Sequence, residues 1–152
     1  MIDWSLSRRG LMGAALPIAF GFGNSAQAAP SGAVATILAF CRAGQARDLE
    51  TQMSYIPENG IYHNMPDAPI VGKPAIRELL SGYLTNSDAT EIIVKNIAEA
   101  KPGLVLTERV DRFRRNGKWI DCPVMGAAEV ENGKIKHWRD YYDVLFLRAQ
   151  MS

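Results

Sequence analysis

The fold is decided by the stretch GLVLTERVDRFRRNGKWIDCPVMGAAEVENGKIKHWRDYYDVLFL, residues 103–147. It contains three runs in which polar and apolar side chains alternate, as they do in half-buried β-strands. Asn116-Gly117 and Asn132-Gly133 separate the runs, and both residue types tolerate the positive φ angles that tight hairpin turns require. The stretch therefore predicts an antiparallel meander, with strands at 103–115, 118–131 and 134–147.

The residues ahead of the meander predict three helices. Ser31 precedes a run in which apolar side chains recur at intervals of three, four and seven residues. Asp48 suits the N-cap of a short second helix, and Pro74 suits the first turn of a third. The predicted elements are helices at 32–45, 48–53 and 73–84, a brief strand at 60–65 and a longer strand at 90–100. Helices followed by a long sheet indicate an α+β domain, with the helices on one face of the sheet and a cup between them.

The composition describes one ordinary domain. The chain has 152 residues, of which 47% are hydrophobic, and its 17 basic and 16 acidic side chains nearly cancel. The basic residues are scattered, so there is no electrostatic reason to expect a nucleic-acid partner. The absence of CxxC and HExxH spacings gives no support for a metal site. Cys41 and Cys122 fall on an apolar helix face and in a strand, which favours buried free thiols over a disulfide.

The N-terminus has the features of a secretory signal. Arg8 and Arg9 stand ahead of an apolar stretch of about 13 residues, and Ala26 and Ala28 fit the small-residue pattern of a cleavage site. The paired arginines are typical of the twin-arginine type, and the stretch is too short for a stable membrane anchor, which needs roughly 20 residues. We expect a signal at 1–28 and a catalytic domain at 29–152, with a periplasmic or exported location if the signal is used and a cytoplasmic one otherwise.

Strand periodicity groups charged side chains of the meander. Arg109 and Asp111 share a face of their strand with apolar neighbours, although periodicity alone does not say which face is inside. On the last strand Asp140 shares a face with Trp138 and Tyr142. If both faces line one cavity, an arginine lies between two aspartates, and two carboxylates in an apolar site acquire different pKa values. A structural ion pair is the alternative, because such networks also perturb pKa values.

The brief strand at 60–65 adds two polar groups. Tyr62 and Asn64 are two residues apart and therefore share a face, and both can hydrogen-bond a water molecule. His63 alternates with them, and His137 lies on the opposite face from Asp140, so neither histidine is expected in the site.

The segments YHNMP, TERVD and WRDYYD resemble those of the limonene-1,2-epoxide hydrolase family, in matching order, over about residues 33–148. The resemblance implies the cone of the SnoaL-like and nuclear-transport-factor-2-like (NTF2-like, cystatin-like) proteins, in which a curved mixed sheet packs against about three N-terminal helices. It also implies a homodimer and a concerted hydrolysis of an epoxide to a vicinal diol without metal or organic cofactor.

The resemblance assigns a role to five residues. Asp140 would be the general base, Asp111 the general acid and Arg109 the bridge between them, while Tyr62 and Asn64 would hold the attacking water. The substrate would be a small apolar epoxide, cyclic or terpenoid. Strand and helix faces predict that the apolar wall of the site contains Trp138, Phe113, Leu80, Met53 and Leu147.

Two other functions remain open on the same fold. One is a SnoaL-like cyclase or a ketosteroid-isomerase-like enzyme that transfers a proton, although a single carboxylate base would serve that reaction and the second aspartate would be surplus. The other is a non-catalytic NTF2-like module that binds a small ligand, because fold alone does not decide function.

Overall fold

A computed structural model describes residues 31–151, so the predicted signal at 1–28 lies outside the part of the chain that is described. The helices are α1 (Gly32–Gln45), α2 (Leu49–Ser54), α3 (Lys73–Thr85) and α4 (Val144–Met151). The strands are β1 (Ile61–Met65), β2 (Ile70–Val71), β3 (Ala89–Lys101), β4 (Leu104–Arg115), β5 (Lys118–Glu131) and β6 (Lys134–Tyr142). This arrangement confirms the predicted α+β class.

The first three helices begin where their sequence signals place them. The Ser31 side chain accepts a hydrogen bond from the backbone N–H of Val34, and Asp48 accepts one from Thr51 at 3.0 Å. Both bonds satisfy an N–H that the first helical turn leaves without a partner. Pro74 occupies the first turn of α3, where its missing N–H costs no helical hydrogen bond.

The six strands form one mixed sheet in the order β2-β1-β6-β5-β4-β3. All neighbouring pairs are antiparallel except β1 and β6, which run parallel. The two predicted hairpins are confirmed, with positive φ angles at Asn116, Gly117, Asn132 and Gly133. Register shifts in the β3–β4 and β5–β6 ladders introduce bulges, which bend strands and produce the predicted curvature.

The predicted end of the last strand is wrong. The strand stops at Tyr142, and the apolar run after it forms α4. The Asp143 carboxylate accepts hydrogen bonds from the backbone N–H groups of Leu145 and Phe146, so it caps a helix. A short apolar run is ambiguous between strand and helix, which explains the error. The two-residue strand β2 also replaces part of a predicted loop.

The hydrophobic core lies between the helices and the inner face of the sheet. Helices and strands both contribute its most completely buried side chains, which are Ile37, Met53, Ile76, Val105 and Ile135. Burying a side chain of this kind contributes about 1.5–3 kcal/mol. Cys41 and Cys122 are buried free thiols, as predicted. Within residues 31–151, no helix is long and apolar enough to cross a bilayer.

Candidate active site

Strand register brings polar side chains from three strands, β1, β4 and β6, to one face of the sheet. Asn64 on β1 lies opposite Asp140 on β6, and Asp140 lies opposite Gly126 on β5. Gly126 in turn lies opposite Thr107 on β4. Directly paired residues point to the same side of a sheet, so β4 contributes the face that carries Thr107, Arg109 and Asp111. The register settles which face is inside, which strand periodicity left open.

This inner face opens into a cavity of about 360 Å³, a volume typical of small-molecule sites. All five residues to which the resemblance gives a role line this cavity: Tyr62, Asn64, Arg109, Asp111 and Asp140. Most of the remaining wall is apolar. The structure therefore brings together side chains that are up to 78 positions apart in the sequence, as the numbers of Tyr62 and Asp140 show.

Arg109 joins the two aspartates. Its Nη2 donates to Asp140 Oδ2 at 2.5 Å, and its Nε donates to Asp111 Oδ1 at 2.9 Å. Its Nη1 donates to Thr107 Oγ1 at 3.1 Å, and the guanidinium carbon lies 5.0 Å from the ring centroid of Trp138. Only 2% of the Arg109 side chain is exposed. Burial disfavours its charge, but the two aspartates outweigh burial and raise the pKa of Arg109.

Asp140 keeps one oxygen free. Oδ2 accepts the bond from Arg109, whereas Oδ1 is buried and has no hydrogen-bond partner among the residues that the structure describes. An unpaired buried carboxylate oxygen is costly, and such atoms concentrate where a ligand supplies the missing donor. Oδ1 is therefore available to accept a proton from a molecule in the cavity.

Asp111 lies in a less enclosed place than Asp140 does. It lines the cavity and 30% of its side chain is exposed. Burial raises the pKa of its carboxyl, Arg109 opposes the shift, and the charge of Asp140 raises the pKa further. The net shift is upward, so the site favours a protonated Asp111 beside an arginine that it shares with a second carboxylate.

Tyr62 and Asn64 lie beside the aspartates. The Tyr62 ring is buried and stacks on Trp138 with centroids 5.9 Å apart. Burial and the nearby Asp140 charge raise the pKa of Tyr62 well above its ordinary value, so its hydroxyl stays protonated. Asn64 donates from Nδ2 to the hydroxyl oxygen of Tyr83 at 2.6 Å. This bond leaves the Asn64 Oδ1 free to accept from a bound molecule.

Sequence reasoning did not include Tyr83 of α3 among the site residues. Tyr83 lines the cavity, and burial raises the pKa of its hydroxyl to about 12. No sequence pattern links it to Asn64, because the hydrogen bond joins a helix to a strand 19 residues away. Tyr83 acts on the site by fixing the orientation of the Asn64 amide.

Sequence reasoning also missed Gly126, which lies beneath the Arg109 guanidinium. A Cβ atom added at Gly126 would clash with Arg109 Nη1, would come within 2.5 Å of Thr107 Oγ1 and would lie 3.2 Å from Asp140 Oδ1. The missing side chain therefore makes the space that the guanidinium occupies. A signal existed, because a glycine inside a strand often marks a close approach of this kind.

The predicted wall residues divide into two groups. Trp138, Phe113, Leu80 and Leu147 line the cavity, and Leu147 reaches it from α4 and not from a strand. Met53 does not line the cavity: it is only 1% exposed and lies in the hydrophobic core, so its predicted position is corrected. The apolar spacing of a short helix does not distinguish a core position from a cavity wall.

The histidines lie away from the cavity, as strand periodicity predicted. His63 and His137 stack on each other with ring centroids 6.5 Å apart, and neither lines the cavity. The two cysteines do line it, but burial raises the pKa of both thiols to about 12, which makes them poor nucleophiles at neutral pH. Across residues 31–151, no group of three or more histidine, cysteine, aspartate and glutamate side chains could hold a metal ion.

Comparison with solved structures supports the fold. An LEH-like epoxide hydrolase from M. tuberculosis superposes with a TM-score of 0.71 at 28% identity, covering 78% of this chain and 88% of that one. An NTF2-like protein of unknown function from Cytophaga hutchinsonii superposes with a TM-score of 0.62 at 17% identity, covering 77% and 92% of the two chains. The second likeness shows the fold alone, and it agrees with the predicted NTF2-like cone.

Comparison of sequences gives the family. Epoxide hydrolase EphG of Mycobacterium tuberculosis is 31% identical over 106 residues, which are 70% of each chain. The family model of the limonene-1,2-epoxide hydrolase (LEH) catalytic domain matches residues 31–152, and this range contains every residue of the site. With its fold, its cavity and these likenesses in agreement, the chain belongs to the limonene-1,2-epoxide hydrolase family.

Proposed function

We propose that this protein is an epoxide hydrolase that adds water to an epoxide in one concerted step and releases a vicinal diol. The observation that carries the proposal is the buried Arg109 guanidinium, which hydrogen-bonds Asp140 on one side and Asp111 on the other inside a largely apolar cavity. Opening an epoxide needs a base for the water and an acid for the departing oxygen, and the two aspartates can supply one each.

Asp140 is the base in this mechanism. Its free Oδ1 accepts a proton from water, while the Asn64 Oδ1 accepts a hydrogen bond from the other water proton and the Tyr62 hydroxyl lies beside them. The water oxygen bonds to an epoxide carbon as the bond between that carbon and the epoxide oxygen breaks. No ester with the enzyme forms, and the oxygen added to the product comes from water.

Asp111 is the acid. Its raised pKa favours the protonated carboxyl, which donates its proton to the epoxide oxygen as the ring opens. After the step Asp140 holds the proton taken from water and Asp111 carries the negative charge. The negative charge thus passes from the Asp140 carboxyl to the Asp111 carboxyl, and Arg109 contacts both of them. Each positioned proton transfer is typically worth on the order of 10²–10⁴ in rate.

The cavity suits a small apolar substrate, such as a cyclic or terpenoid epoxide. Aromatic and aliphatic side chains surround the polar centre, among them Phe40, Leu80, Phe113 and Val124. A proton-transfer reaction of the cyclase or isomerase kind would need one carboxylate, and a ligand-binding module would need none. A second aspartate held through a shared arginine therefore favours hydrolysis over both alternatives.

Two further expectations belong to this proposal. The outer face of the sheet exposes Ile93, Leu106, Met125 and Tyr141, an apolar surface suited to pairing with a second copy in a homodimer. Light scattering on the purified protein measures the molar mass and decides this point.

The signal at 1–28 is proposed to direct export, and the mass of the protein recovered from the periplasm of an expressing cell reports whether cleavage follows Ala28.

Single-turnover hydrolysis in ¹⁸O-labelled water tests the mechanism. Excess enzyme is mixed with a panel of cyclic and terpene epoxides, and the diol is analysed by mass spectrometry. Direct attack by water places the label in the diol formed in the first turnover. An unlabelled first diol would indicate an ester intermediate and overturn the concerted step, and no diol from any member of the panel would overturn the proposed function.

A further inference from the structure

Three arginines line the cavity, and they differ in how their charges are balanced. Arg109 is held by Asp111 and Asp140, as described above. Arg112, whose side chain belongs to the outer face of β4, also contributes to the lining, and its guanidinium is paired with Glu91 and Asp121. Arg115 forms no ion pair with any residue in the range 31–151. It is the one arginine of the described lining whose charge is not balanced by a carboxylate.

The surroundings of Arg115 are apolar. Its guanidinium carbon lies 5.3 Å from the ring centroid of Phe113, and its Nη1 contacts the Met151 sulfur at 3.8 Å, a weak acceptor. Its Nε is buried and has no hydrogen-bond partner within the described part of the chain. A half-buried guanidinium with unpaired N–H groups is suited to an anion, which it can bind through two parallel hydrogen bonds.

Arg115 and the reacting groups lie at two ends of one strand face. Asp111 and Arg115 are four residues apart on β4, so their Cα atoms are separated by about 13 Å at roughly 3.3 Å per residue. Phe113 lies between them on the same face, and Leu147 of α4 also lines the cavity. A substrate that spans this distance needs a reactive group, an apolar body of several carbon–carbon bonds and a terminal group that complements a cation.

We infer that the natural substrate is an amphiphilic epoxide that carries a carboxylate at the end remote from the oxirane, and that Arg115 binds this carboxylate. This inference rests on the proposed function, because it concerns the substrate of the same cavity, and it replaces the small apolar epoxide by one whose apolar body ends in a carboxylate. The other arginines of the lining are consistent with it, because Arg109 and Arg112 are each paired with carboxylates and Arg115 is not.

A matched pair of substrates tests the inference. The terminal epoxide of undecylenic acid and its methyl ester have the same apolar chain and the same oxirane and differ in the charge at the far end. The ratio of kcat/KM for the acid to kcat/KM for the ester is measured for the wild type, for Arg115→Gln and for Arg114→Gln. Arg114 is the control, because it makes the same charge change one residue away, does not line the cavity and lies over Trp119.

We expect the wild type to prefer the acid by about tenfold or more, the effect of one charged hydrogen-bonding partner. Arg115→Gln should abolish this preference and Arg114→Gln should retain it. Equal kcat/KM values for acid and ester in the wild type, or an acid preference that survives in Arg115→Gln, would overturn the inference while leaving epoxide hydrolysis intact.

A binding measurement separates failure of this inference from failure of the proposed function. Isothermal calorimetry with undecanoate, which has no oxirane, reports the anion site alone. Binding that is weakened at least tenfold in Arg115→Gln and unchanged in Arg114→Gln upholds the site even if no epoxide is hydrolysed. Equal binding of undecanoate to the two variants overturns it.

Discussion

Two arginines three residues apart on β4 each hold two carboxylates, but on opposite faces of the sheet. The inner triad consists of Arg109, Asp111 and Asp140, and the outer triad consists of Arg112, Glu91 and Asp121. Hydrogen-bond lengths are similar, with 2.7 Å from Arg112 to each of its two partners. The exposed fraction of the arginine side chain differs, at 2% for Arg109 and 29% for Arg112.

Both triads consist of one arginine and two carboxylates, so they differ in solvent access and not in composition. Solvent access decides how strongly the charges of a triad act on one another. Around Arg112, water and salt screen the charges, so the pairs add little to stability. Around Arg109, screening is weak: burial raises the pKa of Asp111, Arg109 opposes the shift and the charge of Asp140 adds to it. In the proposed mechanism, this difference lets Asp140 act as the base while Asp111 acts as the acid.

The largest expected effect is the loss of turnover in Asp140→Asn. The amide cannot take the proton from water, so the rate should fall on the order of 10²–10⁴-fold. Asp121→Asn makes the same change in the outer triad and should leave the rate within about twofold. Steady-state kinetics on one epoxide measures both, and circular dichroism checks that the fold is kept. Equal losses in the two variants would remove the distinction between the triads.

The second effect is on stability. Arg109→Met leaves Asp140 buried without a cation, and breaking a buried pair in this way costs about 3–5 kcal/mol of unfolding free energy. Arg112→Met leaves carboxylates that water can solvate, so the loss should be much smaller. Urea titrations at one pH compare the two variants, and a similar midpoint for both would contradict the prediction.

The third effect concerns space beneath the inner triad. In Gly126→Ala the added methyl group must displace the Arg109 guanidinium or the Thr107 hydroxyl. Displacement of a catalytic group by about 1 Å can cost on the order of 10²-fold in rate, so kcat should fall by about 10- to 100-fold. Gly82→Ala in α3 is the control, because its methyl group meets no atom within 4 Å. A fully active Gly126→Ala would show that the guanidinium has room to move.

A smaller loss of activity is expected when Tyr83, which supports the inner site without belonging to the triad, is changed. Tyr83→Phe removes the hydroxyl that accepts from Asn64, so the amide loses its fixed orientation. A hydrogen bond of this kind is worth about 1 kcal/mol, and kcat should fall about fivefold with little change in KM. Tyr141→Phe, on the exposed outer face, is the matched control. A loss confined to KM would assign Tyr83 to substrate binding instead.

The smallest expected effect is a shift in the pKa of Asp111. The pKa of Asp111 is raised by burial and further by the charge of Asp140, while Arg109 opposes the shift. The proposed mechanism needs a protonated Asp111, so this contribution to the rate should be present below its pKa and lost as pH rises through it. In Asp140→Asn the Asp111 pKa should fall, because one anion is gone and Arg109 has a single carboxylate left. Carboxyl ¹³C chemical shifts follow the titration in both proteins, and an unchanged pKa would contradict the coupling.

The sequence predicts more of the sheet than of the chain end that closes the cavity. The hairpins at Asn116-Gly117 and Asn132-Gly133 follow from local backbone preference, and the shared face of Arg109 and Asp111 follows from strand geometry. The helix after Asp143 was missed because its apolar residues also fit a strand. Asp143 is a typical N-cap residue, but the alternating residues ahead of it favour a strand that continues.

Sequence reasoning was weakest where a contact joins separate elements. Met53 was placed in the wall and lies in the core, since the face of α2 that meets the cavity depends on how α2 packs against its neighbours. Tyr83 and Asn64 belong to a helix and a strand, so their hydrogen bond leaves no periodic trace in the chain. Gly126 did leave a trace, as a glycine inside a strand, but its meaning appears only once Arg109 is seen above it.

The sequence by itself determined which side chains are neighbours along each strand, because successive residues alternate between the faces and turn residues mark the strand ends. It therefore paired Arg109 with Asp111 and Tyr62 with Asn64. Only the tertiary structure decided that these pairs and Asp140 face one cavity: the parallel pairing of β1 with β6 and the helices over one face of the sheet fix which side is enclosed. Burial follows from contacts between distant segments, and burial is the main cause of the raised pKa of Asp111.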